Sequence, residues 1–234
     1  LLAWCCRRSW FQSLFHSDIV LIRRFLAETH ATDIHPTTVI YRSLSRHIWF
    51  AWSILEIERN LEQEFEKRVR VTGLSQLQNH HQQEQAIILV SYHNIFAKLI
   101  PLCLKHYKFE NQATIGLTRS ILQARGKQAT ESARMMEHAR QLLTTTKLLK
   151  AWGIVFMLPD GFYGNDGVWV EFYNRRREFK TGFAELAEST HAMVIPVLPS
   201  LEEDGTFKLD ILEPFDVDGP TRSREERIRS LTEQ

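Results

Sequence analysis

Residues 86–101 read AIILVSYHNIFAKLIP, an apolar run that stops at His93 and gives way to a helical pattern. The run is short, continuous and rich in branched side chains, which suits a strand covered on both faces, as in a parallel sheet. Working outward, VRVTGL from 69, ATIGLTR (113–119), GIVFMLPD (153–160), MVIPVLPSL (193–201) and FKLDILEPF (207–215) are further strand candidates. NIFAKLIPLCLKHY (94–107) and residues 128–151 carry helical patterns between them, and LQNHHQQEQ (77–85) is polar, with turn or helix-end character. Strands alternating with helices predict an α/β fold, with a mixed, largely parallel sheet flanked by helices and one antiparallel addition after the turn EEDG (202–205). Pro196 and Pro199 are expected to interrupt or end their strand.

Residues 1–68 read instead as amphipathic helices, WFQSLFHSDIVLIRRFLAE (10–28) and the long segment from His35, with an apolar stripe at helical spacing. Trp49, Phe50 and Trp52 sit close together on it. Such a face either packs on the core or dips into a membrane interface, aromatics inward and arginines at the headgroups. The expected organisation is one domain over 1–234, with helices over 1–68 and the α/β core over 69–234; EEDG and DVDGPTRS (216–223) are its clearest breaks. The opening LLAW, without Met, and the closing EERIRSLTEQ read as a fragment trimmed at both ends, with any anchor missing.

Composition bounds the chemistry. Of 234 residues, 44% are hydrophobic and 24% charged, ordinary for a chain that buries a core. The net charge of +1 offers no field for nucleic acid. Cys5, Cys6 and Cys103 make no disulfide framework and fit a reducing compartment. The Cys5-Cys6 pair reads as two ordinary thiols, with acylation beside a membrane as the sharper alternative. Neither a C-x-x-C pair nor an H-E-x-x-H helix is present, so no metal site is expected. No run approaches the ~20 apolar residues of a membrane span.

In an open α/β sheet, ligands gather at the carboxyl ends of strands. His93 follows AIILVSY, and Asp160 follows GIVFMLP within the loop LPDGFYGNDG. Histidine titrates near enough to neutrality to serve as a general base, and a strand-end carboxylate can orient it. The bland readings are a structural histidine and a Pro-Asp-Gly turn. Arg175, Arg176, Arg177 and Lys180 follow GVWVEFYN. They make either a solvated face or a phosphate clamp, since the guanidinium fork suits phosphate.

Taken in order, GIVFMLPDGFYGNDGVWVEFYN and TGFAELAESTHAMVIPVLPSLEEDGTFKLDILEPF resemble the late acyltransferases of lipid A biosynthesis, the lauroyl and myristoyl transferases of the lysophospholipid acyltransferase superfamily. The resemblance covers roughly residues 69–229. It implies a glycerolipid acyltransferase-like core with an apolar groove for the acyl chain, and no cofactor. The co-substrate is an acyl thioester of acyl carrier protein or coenzyme A, and the acceptor a membrane lipid. The implied location is the cytoplasmic side of a bacterial inner membrane, against its inner leaflet, held peripherally or by a missing N-terminal segment. His93 matches the family's catalytic histidine, which begins an H-x4-D/E signature. The acid of that signature orients the imidazole, but here Lys98 occupies its position. A protonated lysine accepts no hydrogen bond from imidazole and opposes imidazolium formation. Gly161 replaces the family's Gln or His after Asp160, Glu171 stands in place of a proline, and Asn94 fills a variable position. Arg119 resembles the arginine after the second core strand, where an anionic substrate group is expected.

Three readings follow. The first is a working acyltransferase with His93 as base and Asp160 or Glu171 supplying the missing carboxylate; Arg119, Arg175–Arg177, Lys180 and Asn94 would contact substrate. The second is a relative impaired by Lys98 that binds lipids or a protein partner. The third is acyl transfer by the same histidine onto an amine or polyketide-like acceptor. Which carboxylate lies within reach of His93, and whether Lys98 pairs with it, discriminates the first two.

Overall fold

The computed structural model describes residues 16–28, 34–114, 131–160, 167–172, 175–215, 226 and 229. The chain divides into two compact units, one of residues 1–59 with 171–177, the other of residues 60–170 with 178–234.

In the smaller unit, α1 (His16–Glu28) packs against α2 (Pro36–Arg59) through Ile19 and Ile40, backed by Ile22, Tyr41 and Leu44. Helix α2 buries Ile40, Phe50, Ile54 and Ile57. Ile48, Trp52 and Leu55, at i, i+4 and i+7, form a second apolar stripe and are more than half exposed, at 56%, 59% and 51%. Among the described residues, no helix is long and apolar enough to cross a membrane.

The larger unit opens with α3 (Leu61–Arg68), β1 (Val69–Thr72) and α4 (Leu74–Gln82). Then come β2 (Ile87–Val90), a 3-10 turn (Ile95–Lys98), α5 (Leu99–His106), β3 (Gln112–Thr114), α6 (Glu131–Lys150) and β4 (Ile154–Met157). The two-stranded sheet of β5 (Gly167–Phe172) and β6 (Arg175–Lys180) follows, its outer part, 171–177, belonging to the smaller unit. Last are α7 (Gly182–Thr190), β7 (Met193–Leu201) and β8 (Phe207–Ile211).

The main sheet has six strands in the order β1-β8-β7-β2-β4-β3. Pairing is parallel everywhere except between β7 and β8, so the fold is the mixed α/β class expected from the sequence. Strand β2 buries all four of its residues because both faces are covered. Ala86, Ile88, Val90, Val155 and Val194 meet Leu149 of α6 and Phe183, Ala184, Leu186 and Ala187 of α7. By strand alternation Ile87, Leu89, Ile154, Phe156 and Ile195 point to the opposite face. Helix α5, with buried Leu99, Ile100, Cys103 and Leu104, also packs on β7. Phe65 of α3 stacks on His106 of α5 with ring centroids 4.7 Å apart.

Pro196 and Pro199, expected to break their strand, lie inside β7. Pro196 is in register with Val90, the last residue of β2, and Pro199 with Leu209. The Pro196 carbonyl still accepts from the Leu212 N–H at 2.9 Å. A proline survives in a strand where the ladder asks it to accept rather than donate. The polar stretch LQNHHQ is the body and end of α4, anchored by fully buried Leu77, rather than a turn. Gly73, just before α4, has φ +72°, and a Cβ there would collide with the Ile211 carbonyl. Helix α6 ends with the Trp152 N–H bonded to the Leu149 carbonyl and the Gly153 N–H to the Leu148 carbonyl, a Schellman closure that aims the chain into β4.

Burial in α5 pushes the Cys103 thiol up to about 12 from its ordinary value near 9. The neutral thiol is therefore favoured by the fold. This contribution is fully present below the unfolded value and is lost as pH rises through the window from there to about 12. Cys103 is expected to resist maleimide labelling at pH 8 in the native protein and to label promptly in denaturant. Prompt native labelling would contradict its burial.

Candidate active site

Strands β2 and β4 are parallel neighbours, with Val90 in register with Met157. The ladder continues one step further, the Ser91 N–H donating to the Met157 carbonyl at 3.2 Å. His93 and Asp160 each lie three residues past the Val90–Met157 pair, so two distant segments bring them together at one end of the sheet. His93 Nδ1 is 2.6 Å from Asp160 Oδ1. The His93 main-chain N–H also lies 2.9 Å from both carboxylate oxygens. Asp160 thus holds the backbone and the ring of the same residue.

The burial of the pair is unequal. The Asp160 side chain is 2% exposed and that of His93 is 55% exposed. A buried carboxylate is costly unless hydrogen bonds replace its water, and His93 supplies them. An ionised carboxylate only accepts, so the Nδ1 proton faces Asp160 and the lone pair falls on Nε2. The outcome is an oriented imidazole on an open surface, backed by an anion, which can take a proton from a hydroxyl and keep the resulting charge.

Lys98, at the position where the resemblance places an acid, is exposed and forms no ion pair with any described residue. It neither fills the pair nor competes for Asp160. Asn94 Oδ1 accepts from the Phe96 N–H at 2.8 Å and caps the 3-10 turn that carries Lys98. Glu171 and the β6 residues Arg176 and Arg177 are exposed and belong to the smaller unit, as does Arg175. Lys180 pairs with Glu178 at 3.0 Å, and its main-chain N–H donates to the Pro159 carbonyl at 2.8 Å, tying the end of β6 to the residue before Asp160. Arg119 and Gly161 lie outside the described residues. Among the described residues, no three His, Cys, Asp or Glu side chains cluster as metal ligands would.

Sequence reasoning passed over Ser91. Its hydroxyl is buried and has no hydrogen-bond partner among the described residues, and the same holds for Asn94 Nδ2. The signal was a polar residue closing an apolar run two positions before His93.

None of the curated proteins compared with the chain matches it. The family model for the bacterial lipid A biosynthesis acyltransferase matches residues 29–231, a span that takes in both strands bearing the pair. With an oriented histidine at the carboxyl end of a mostly parallel α/β sheet, the chain belongs to the bacterial lipid A biosynthesis acyltransferase family, which implies acyl transfer to lipid A-like acceptors.

Proposed function

We propose that this chain moves a fatty acyl group from the thioester of acyl carrier protein or coenzyme A to a hydroxyl of a lipid A-like acceptor, with His93 as general base. Asp160 supplies the carboxylate that the family signature carries where this chain has Lys98. One observation carries this reading: the 2.6 Å contact between His93 Nδ1 and Asp160 Oδ1, on a carboxylate also bound to the His93 backbone. In the reaction Nε2 takes the acceptor's proton as its oxygen bonds to the thioester carbonyl carbon. Collapse of the tetrahedral oxyanion breaks the C–S bond, and the departing sulfur takes the proton back. No cofactor enters this scheme.

The place of action in this reading is the cytoplasmic face of a bacterial inner membrane. Support comes from the exposed stripe Ile48, Trp52 and Leu55, opposite the buried face of α2, with exposed Arg42 and Arg46 preceding it. Trp4, Trp10 and Phe11, which the sequence adds to this surface, lie outside the described residues. The protein is expected to co-sediment with anionic vesicles at low salt, less so after Trp52→Ser with Ile48→Ser. Absence of binding at low salt would discard the interfacial role.

Acyl transfer is tested with a labelled long-chain acyl thioester and a lipid A-type acceptor, comparing wild type, His93→Ala and Lys98→Glu. Wild type is expected to transfer, His93→Ala to be silent, and Lys98→Glu to stay within about threefold of wild type, because Asp160 already serves the ring. Activity in Lys98→Glu alone would favour the binding-protein reading.

A further inference from the structure

Buried polar atoms in folded proteins almost always have partners, and a buried orphan costs roughly 1–3 kcal/mol. Two such orphans flank His93. Ser91, 7% exposed, has an Oγ without a partner among the described residues. Asn94 has an unpartnered Nδ2, and the identity of its two amide atoms is settled because Oδ1 accepts from the Phe96 N–H at 2.8 Å. That bond holds the amide, so the NH2 end stays a donor without a partner among the described residues. The segment from 91 to 94 is pinned at both ends, by the Ser91 N–H on the Met157 carbonyl and by the Asn94 cap, with Asp160 holding His93 between them. Two buried donors, one two residues before the base and one the residue after it, have no partners among the described residues, and an oxyanion site needs donors of this kind set before substrate arrives.

We propose that Ser91 Oγ and Asn94 Nδ2 donate to the thioester carbonyl oxygen as it becomes an oxyanion. This rests on the acyl transfer proposed above. As the acceptor oxygen bonds to the carbonyl carbon and its proton passes to His93 Nε2, the C=O π electrons settle on oxygen between the two donors. When the C–S bond breaks, the C=O re-forms, the thiolate recovers the proton and the donors release the ester.

The variants separate this role from packing. Ser91→Ala deletes an unsatisfied buried hydroxyl, so Tm should hold or rise, whereas kcat should fall by about 10²–10³-fold. Ser91→Thr should restore part of it. Asn94→Asp keeps the acceptor for the Phe96 N–H, and thus the cap, but loses the donor; it should fold normally with a similar loss in kcat. Asn94→Ser, which keeps a capping oxygen without adding charge, should also lose kcat. KM for the acyl thioester should change by less than about threefold, since the interaction strengthens only in the transition state. Wild-type kcat in both Ser91→Ala and Asn94→Asp, or losses confined to KM, would overturn the proposal. A silent wild type would instead overturn the acyl-transfer reading, and this inference with it.

Discussion

Asp160→Asn is expected to slow acyl transfer by about 10⁴-fold, because an amide in place of an orienting carboxylate selects the wrong imidazole tautomer. Asp160 offers two acceptor oxygens to the His93 main-chain N–H and one of them to the ring. A carboxamide has a single acceptor oxygen. If it serves the main chain, its NH2 meets Nδ1, which must then accept, and the proton moves to Nε2, where the base is needed. His93→Ala should lose as much, and the double variant little more, since the two act as a unit. Single-turnover transfer rates with far-UV circular dichroism on each variant check this. A folded Asp160→Asn within tenfold of wild type would show that Asp160 holds the loop rather than the base.

The second large effect lies in the core. Phe207→Ala is expected to cost about 3–5 kcal/mol, the range for removing a buried aromatic ring. Phe207 is fully buried in β8, in register with Val69 on one side and Leu201 on the other. Its ring also lies 5.8 Å from that of Phe96, in the turn that Asn94 caps after His93. The cavity would therefore reach the turn after His93 as well as the sheet. A drop in Tm of about 6–20 °C follows for a unit of this size. Activity measured well below that Tm should also fall, since the turn loses its packing. Urea unfolding with a loss under about 1 kcal/mol would mean that the site collapses without a cavity.

Legibility from sequence tracked the range of the interactions involved. The strands β2, β4 and β7 were readable as short runs dominated by apolar residues, and β8, FKLDI, as an apolar/charged alternation after a turn. Gly205 in the turn before β8, at φ +88°, follows the same local logic. The two prolines of β7 misled because a proline's fate in a strand depends on which neighbour faces its missing N–H, and that neighbour is remote in sequence. The α2 stripe was visible as apolar, but which face is buried was not: Phe50 went inside while Trp52 stayed out.

By itself the sequence determined an α/β chain with a histidine and an aspartate at the ends of two core strands, and the lysine where the family acid belongs. Tertiary structure alone decided where that lysine lies and which carboxylate meets the histidine. Parallel pairing of β2 with β4 at the Val90–Met157 register puts Asp160 on His93 from 67 positions away, while Lys98, five positions on, points to solvent. Proximity along the chain constrains a side chain only to within a turn of helix. Register between strands fixes it to a fraction of an ångström, because a slip of one residue would turn every side chain of the buried strand to the other face.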